Sequence, residues 1–118
     1  MKLAYVAGAF RSETPRGVQK NVALAEDWGE FVFMNGGSAI IPHKITENFD
    51  KLLTDEFWLK ATETMLRHCD ALFLIPGWEQ SEGSRHELAV ATELGMPVFY
   101  YTDLGPFVEY LQYGVEND

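Results

Sequence analysis

Four short runs of β-branched, aromatic and aliphatic residues stand out from a mixed polar background, at residues 3–7, 39–41, 71–75 and 98–101. A segment with helical spacing of apolar residues separates each run from the next. Strands that alternate with helices are typical of βαβ units in a parallel sheet, whereas hairpins need tight turns between their strands. Strands that are apolar throughout also favour a sheet covered on both faces. The pattern therefore predicts a small doubly wound α/β domain.

Capping signals mark the first two helices between these strands. Thr14 and Pro15 indicate the cap and the first residue of a helix that we expect to reach about Met34. A short turn is predicted at residues 46–53, after which Thr54 caps a second long helix.

Similar signals mark two more helices. We expect one from about Ser84 to Gly95 and a short one over residues 106–113. Ligands of doubly wound sheets bind beyond the carboxyl ends of the strands. A ligand site is therefore expected in the loops at residues 8–14, 42–48, 76–86 and 102–106.

Composition and charge narrow the class of protein. The 118 residues, 47% of them hydrophobic, fit one globular domain over residues 1–118. A net charge of −9 argues against a partner that is a nucleic-acid polymer, because such binders must displace counterions from phosphates. We find no run long enough for a membrane helix and no signal-peptide pattern, so we expect a cytoplasmic protein without a membrane partner. The single Cys69 excludes an intramolecular disulfide, and the histidine spacing predicts no metal. We also expect no cofactor.

The loop after the first strand is suited to a small anion. It contains Gly8, Ala9, Phe10 and Arg11. A glycine lets a ligand approach the backbone, amides at the start of a helix bind anions, and the Arg11 guanidinium matches a phosphate. The loop is neither a Walker loop nor a dinucleotide fingerprint. A tight turn with a solvated arginine is an equal interpretation.

The loop after the third strand is denser in polar groups. Its candidate ligand-binding residues are Trp78, Ser81 and Gly83. Glu87, in the first turn of the following helix, faces the strand ends. Spacing alone favours a capping box, in which Ser84 caps the helix and Glu87 returns a hydrogen bond to the cap amide. Trp78 has two interpretations: its ring stacks on a ring of the ligand, or it covers the apolar edge of the sheet.

Three further residues have both structural and functional interpretations. His43 follows the second strand and can line the crevice, although a lone histidine is more often an ordinary loop residue. Tyr5 can orient Glu87 through a hydrogen bond or serve as a core aromatic residue. Asp70 opens the third strand, so we expect a structural role at the opposite end of the sheet.

Four motifs follow one another along nearly the whole chain. They are Tyr5-Val6-Ala7-Gly8-Ala9-Phe10-Arg11, Asp70-Ala71-Leu72-Phe73-Leu74, Trp78…Ser81-Glu82-Gly83…Glu87-Leu88-Ala89…Ala91 and Gly95-Met96-Pro97-Val98. In this order they resemble the nucleoside 2-deoxyribosyltransferase-like superfamily, in particular a short bacterial and phage branch similar to deoxynucleoside 5′-monophosphate N-glycosidases. The resemblance implies a flavodoxin-like, doubly wound parallel sheet of four to five strands in three αβα layers. It also implies cleavage or transfer at the N-glycosidic bond of nucleosides or nucleotides.

The resemblance assigns roles to individual residues. Glu87 matches the family's nucleophile, which forms a covalent glycosyl-enzyme intermediate. Tyr5, Gly8 and Arg11 match the first loop of the members that hydrolyse monophosphates. Ser81 matches a phosphate-binding serine six residues before the nucleophile, where transferases acting on unphosphorylated nucleosides carry an aspartate. Arg11 and Ser81 together therefore favour a nucleotide over a free nucleoside.

One position departs from the family pattern. Thr62 stands where the family usually has an aspartate that helps to hold the base or sugar, and the neighbouring Glu63 is a possible substitute if the helix is shifted. The group that protonates the leaving base is also open, the candidates being Glu79, Glu82, His43 and a water molecule.

The resemblance further implies a homo-oligomer, a dimer or larger, in which a neighbouring subunit completes the site. The aromatic-rich segment 107–113 is our candidate for that contact. Two other functions stay open. One is a non-catalytic nucleotide-binding or sensing domain of the same fold, and the other is a protein-interaction module that uses the acidic surface.

Overall fold

Parallel strands and helices alternate through residues 1–117, the part of the chain that the computed structural model describes. The strands are β1 (Leu3–Ala7), β2 (Ser38–Ile40), β3 (Ala71–Leu74) and β4 (Val98–Tyr100). The helices are α1 (Pro15–Met34), α2 (Pro42–Phe49), α3 (Asp55–Arg67), α4 (Glu82–Glu93) and α5 (Leu104–Glu116). Two short 3₁₀ turns lie at Asp50–Leu52 and Trp78–Gln80.

The four strands form one all-parallel sheet in the order β2-β1-β3-β4. This α/β arrangement is consistent with a flavodoxin-like, three-layer αβα fold, as expected. The chain leaves β1 toward one edge of the sheet and later returns to place β3 on the other side of β1. Connections that depart in opposite directions leave a crevice beyond the carboxyl ends of the two central strands.

Alternation along β1 divides the core between the two faces of the sheet. Ala4 and Val6 point toward α1 and α5, where Phe73 stacks on Phe107 with ring centroids 4.2 Å apart. Tyr5 and Ala7 point to the opposite face. The buried residues packed there include Leu66 of α3 and Val90 and Ala91 of α4. Tyr5 is therefore directed toward the helix that carries Glu87.

The helix boundaries differ from the sequence prediction at three places. The predicted turn at residues 46–53 is instead α2, which begins at Pro42, followed by a 3₁₀ turn. Proline suits the first helical position, because its missing N–H is unpaired there in any case. Helix α4 begins at Glu82 rather than near Ser84, and α5 extends the predicted residues 106–113 at both ends.

The aromatic segment of α5 mainly serves the core of its own chain. Phe107 is fully buried, and Tyr110 packs on Phe99 with ring centroids 5.0 Å apart. Tyr113 remains 59% exposed. The packing thus accounts for most of these rings without a second subunit, and oligomerisation stays a prediction.

Asp70 lies at the amino ends of the central strands, as predicted. Its Oδ2 accepts a hydrogen bond from the backbone N–H of Leu3, with an N···O distance of 2.8 Å. This bond joins the beginnings of β1 and β3, at the end of the sheet away from the crevice.

Within residues 1–117 we find no helix with the length and apolar character needed to cross a membrane.

Candidate functional site

A cavity of about 540 Å³ lies at the carboxyl ends of β1 and β3. This volume is within the range of roughly 300–1,000 Å³ typical of small-molecule sites. The cavity is lined by the loop after β1, the start of α2, one side of α3 and the first turns of α4. The predicted site residues that line it are Tyr5, Gly8, Ala9, Phe10, Arg11, His43, Ser81, Gly83 and Glu87.

Glu87 lies in the second turn of α4 with its carboxyl group against Tyr5. The residue is 8% exposed, and its Oε2 accepts a hydrogen bond from the Tyr5 hydroxyl. The helix is capped by Ser81, whose Oγ accepts from the backbone N–H of Ser84 at 3.1 Å. The capping-box interpretation is therefore wrong, because Ser84 is not the cap and Glu87 is too far along the helix to return a bond to it.

Burial controls the ionisation of this pair. Removal from water raises the pKa of Glu87 to about 7, and the hydrogen bond from Tyr5 opposes that rise. Burial, followed by the charge of Glu87, raises the pKa of Tyr5 well above its usual value. Tyr5 thus keeps its proton near neutral pH and acts as a donor. Glu87 changes between acid and carboxylate in the same pH range.

His43 is held as a neutral ring at the start of α2. Its Nε2 lies 3.1 Å from the carbonyl oxygen of Gly8. A carbonyl oxygen only accepts, so Nε2 carries the hydrogen and Nδ1 is left as an acceptor. Burial also lowers the pKa of His43, which favours the neutral form. His43 is consequently unsuited to protonating a leaving base, although Phe10 packs beside it with ring centroids 6.2 Å apart.

Arg11 is engaged by two carboxylates at the edge of the cavity. Its Nη1 and Nη2 donate to the two carboxylate oxygens of Asp50 at 3.0 and 2.6 Å, and Nη2 also donates to Asp55 Oδ1 at 2.7 Å. We call this arrangement the Arg11 clasp. It joins the loop after β1 to the 3₁₀ turn after α2 and to the first residue of α3. Because the Arg11 side chain is 52% exposed, ion pairs of this kind contribute little to stability, typically about 0–1 kcal/mol each.

The amino end of α4 forms another wall of the cavity. Ser81 and Gly83 line it together with Ser84, and the helix dipole makes this end attractive to anions. The side chain of Ser84 is buried, and its Oγ has no hydrogen-bond partner within residues 1–117. The site therefore combines a favourable position for an anion with an unpaired hydroxyl.

Trp78 lies outside the cavity lining. It packs on Tyr100 of β4, with ring centroids 5.8 Å apart, and on the apolar cluster beneath α4. The position agrees with the interpretation that this tryptophan covers the sheet edge. The reason is local, because Gly77, with φ of +90°, turns the chain into the 3₁₀ turn that begins with Trp78.

Only some of the residues considered for holding the sugar or protonating the base line the cavity. Thr62 lines the cavity and donates its hydroxyl to the carbonyl oxygen of Trp58 at 2.9 Å. Glu63 is not among the lining residues and instead contacts His86 at 3.0 Å. Among the candidates for protonating a leaving base, Glu82 lines the cavity and Glu79 does not. A neutral hydroxyl thus lies at the position where the resemblance to deoxyribosyltransferase-like proteins implies an aspartate.

A family model described as a domain of unknown function, DUF4406, matches residues 3–100 of the sequence. The chain belongs to the DUF4406 family. The match runs from the start of β1 to the end of β4, so all the cavity-lining residues lie inside the DUF4406 region. No curated protein matches the sequence significantly.

Sequence reasoning missed the acidic partners of Arg11 and the position of Ser84 in the cavity wall of this DUF4406 protein. Asp50 and Asp55 are 39 and 44 positions from Arg11, and no local pattern links acids and bases over such separations. Ser84 was interpreted as a helix cap, because a serine three residues before a glutamate fits that motif. The serine at Ser81, itself just before a helical segment, was the signal that could have placed the cap correctly.

Proposed function

We propose that this protein cleaves, or transfers at, the N-glycosidic bond of a nucleoside 5′-monophosphate or nucleoside, with Glu87 as the nucleophile. The proposal is supported chiefly by the Glu87 carboxyl group. It is buried in the cavity wall and hydrogen-bonded to Tyr5 through Oε2. A carboxylate in a cavity at the junction of β1 and β3 is the arrangement that the resemblance to deoxyribosyltransferase-like proteins leads us to expect.

Glycosidic cleavage passes through a state with positive charge on the sugar. One oxygen of the Glu87 carboxylate attacks C1′ and forms an ester bond, while the bond from C1′ to the base nitrogen breaks and its electron pair leaves with the base. A proton from an acid or from water neutralises the base. A water molecule, or a second base in a transferase, then attacks C1′ and releases Glu87 with overall retention of configuration.

The Tyr5 hydroxyl assists Glu87 in both steps of the proposed reaction. As a hydrogen-bond donor it fixes one carboxylate oxygen and lowers the pKa of Glu87, so that more of the nucleophile is ionised near neutral pH. In the second step Glu87 is the leaving group. A donor bound to its oxygen also stabilises the carboxylate that forms on release.

The phosphate end of the ligand is assigned to the amino end of α4 and to Arg11. Ser81 and Gly83 supply a hydroxyl and backbone at a positive helix end, and Arg11 supplies a guanidinium across the cavity. A phosphate that binds the Arg11 guanidinium must displace the carboxylates of Asp50 and Asp55 from it. For protonation of the base we propose Glu82 or a water molecule.

Incubation with a panel of ribo- and deoxyribonucleoside monophosphates and free nucleosides, with chromatographic detection of free base, tests the proposal. The matched variant is Glu87→Gln, which keeps the shape and can still accept from Tyr5. We expect base release by the natural protein and a loss of about 10³-fold or more in the variant. Equal rates for the two proteins, with both folded, would contradict the proposal.

A second candidate function is a non-catalytic nucleotide-binding domain, which is favoured by Thr62, because the resemblance to deoxyribosyltransferase-like proteins implies an aspartate at this cavity position. This candidate predicts a thermal shift with nucleotides but no product after prolonged incubation. An Arg11→Ala variant should show a smaller shift in either case. Product formation that depends on Glu87 would exclude this candidate.

A further inference from the structure

Two buried polar atoms, on residues that line the cavity, have no hydrogen-bond partner. They are His43 Nδ1 and Ser84 Oγ, and among the buried side-chain nitrogen and oxygen atoms of residues 1–117 only these two lack one. Both residues line the cavity, at 4% and 1% exposure. Leaving a buried polar group unpaired is unfavourable, and buried groups in folded proteins are normally paired. Their common position indicates that a ligand supplies the missing partners.

The chemistry of the two atoms restricts that ligand. His43 donates through Nε2 to Gly8, so Nδ1 is an acceptor and needs a donor. An ionised phosphate or a carbonyl group cannot serve, because neither has a hydrogen to donate. Ser84 Oγ both donates and accepts. A hydroxyl group satisfies either atom, and two hydroxyl groups satisfy both.

The position of Ser84 indicates which part of a nucleotide it would meet. It lies three residues after Ser81 and three before Glu87 on α4, and all three line the cavity. With a rise of about 1.5 Å per residue, Ser84 is about 4.5 Å along the axis from each of the other two. In the proposed function Ser81 is near the phosphate and Glu87 is near C1′. The sugar ring between these groups is therefore opposite Ser84.

We propose that Ser84 and His43 form a sugar-hydroxyl subsite, in which each residue takes one ring hydroxyl of ribose. The inference rests on the proposed function and specifies its substrate as a ribonucleoside 5′-monophosphate. A 2′-deoxyribonucleoside 5′-monophosphate has only the 3′-hydroxyl free and leaves one of the two buried atoms unpaired. The subsite thus discriminates by the presence of the 2′-hydroxyl.

Binding to the Glu87→Gln protein, which cannot turn the ligand over, measures this preference. The probes are AMP, GMP, CMP and UMP, each against its 2′-deoxy counterpart, in a calorimeter. We expect the ribonucleotide that binds best to bind about tenfold more tightly than its deoxy form, which corresponds to one buried hydrogen bond. Added in the same background, Ser84→Ala and His43→Gln should each reduce the ratio. The glutamine can still donate to Gly8.

Thermal unfolding separates this role from a structural one. Ser84→Ala removes a hydroxyl that has no partner in the free protein, so the melting temperature should stay equal or rise. An unchanged ribo-to-deoxy ratio in Ser84→Ala would overturn the subsite whatever the melting temperature, as would equal or tighter binding of the deoxy forms. Failure of every nucleotide to bind would instead remove the proposed function, and the subsite with it. Because Ser84→Ala alone tests the inference, the result does not depend on His43→Gln folding.

Discussion

The Tyr5 hydroxyl donates a hydrogen bond to Glu87 Oε2, which joins residues 82 positions apart in the sequence. The contact follows from two local rules. Alternation along β1 directs Tyr5 to the face covered by α4, and the cap at Ser81 sets the turn of α4 from which Glu87 points back to the sheet. A strand in the centre of the sheet and a capped helix thus hold the proposed nucleophile between them.

The pH dependence of activity should report this hydrogen bond. The reacting form of Glu87 is the carboxylate and its pKa is about 7, so kcat/KM should rise with pH and level off above neutrality. Tyr5→Phe removes the hydrogen bond that lowers the pKa of Glu87. The acid limb of the profile should therefore move to higher pH in the variant.

Kinetic profiles of both proteins between pH 5 and 9 measure the shift. A conservative control is Tyr100→Phe, which changes a tyrosine on β4 that is outside the cavity lining. An acid limb near the ordinary pKa of a glutamate, or the same limb in Tyr5→Phe, would show that the pair does not control the reaction.

The pH dependence of folding stability should have the opposite sign to that of activity. The pKa of Glu87 is about 7 in the folded protein and 4.5 is its ordinary value, so the folded state binds the proton more tightly. The tighter proton binding contributes its full stabilisation below about pH 4.5, and this contribution is lost as the pH rises through 7. The change amounts to about 3 kcal/mol, from about 1.4 kcal/mol per pKa unit.

Urea unfolding of the natural protein and Glu87→Gln at pH 5 and pH 8 isolates this effect, because the other titrating groups are common to both. The variant should gain stability relative to the natural protein between pH 5 and pH 8. A difference that stays constant with pH would mean that the carboxyl group is not buried as described.

The sequence was sufficient to predict the strands, the long helices and the gathering of nine of the ten candidate residues around one cavity, for a physical reason. Apolar runs and capping residues are local signals, and a parallel sheet brings its strand ends together whatever the side chains are. Tyr5 could therefore be paired with Glu87 in advance. The clasp of Arg11 with Asp50 and Asp55 could not, because partners so far apart in the chain are brought together only by the completed fold.

The short helix α2 shows a second limit of local signals. Its eight residues begin with a proline, which suits a helix start, but the residue before it provides no side-chain cap, so the sequence marked the start only by Pro42. Burial of Pro42, His43 and Thr46 against the rest of the protein stabilises it instead. The placement of His43 in the cavity depends on that packing.

Gly8 should tolerate no side chain, because the chain passes close to β3 at this point. An added Cβ would lie 2.5 Å from Cγ1 of the buried Ile75 and 4.0 Å from His43 Nε2. We expect Gly8→Ala to lower the free energy of unfolding by about 1–3 kcal/mol and to weaken ligand binding, because the loop must move.

Gly83→Ala provides the matched control for Gly8→Ala in the stability measurement. Gly83 lies in the first turn of α4, where the nearest atom outside its chain neighbours and the helix backbone would be Ser81 Oγ, 3.9 Å from an added Cβ, and alanine is the better helix former. Chemical denaturation should therefore show equal or greater stability for this variant. Equal effects at the two positions would contradict the close approach at Gly8.

The Arg11 clasp should set the affinity for phosphate. Asp50 and Asp55 place two negative charges on the guanidinium that we assign to the ligand, and a phosphate must displace them. The double variant Asp50→Asn with Asp55→Asn should bind nucleoside monophosphates about three- to tenfold more tightly at low salt, since each exposed ion pair contributes about 0–1 kcal/mol. Added salt should reduce the gain through screening.

Calorimetry with a nucleoside and its monophosphate distinguishes this effect from a general change of the site. The nucleoside has no phosphate to compete for Arg11, so its affinity should be the same in the natural and double-variant proteins. In an Arg11→Ala background the two aspartate substitutions should lose most of their effect, because the group for which they compete is gone. Weaker binding of the monophosphate to the double variant would contradict this prediction. It would show that the two aspartates position Arg11 for the phosphate instead of competing with the phosphate for it.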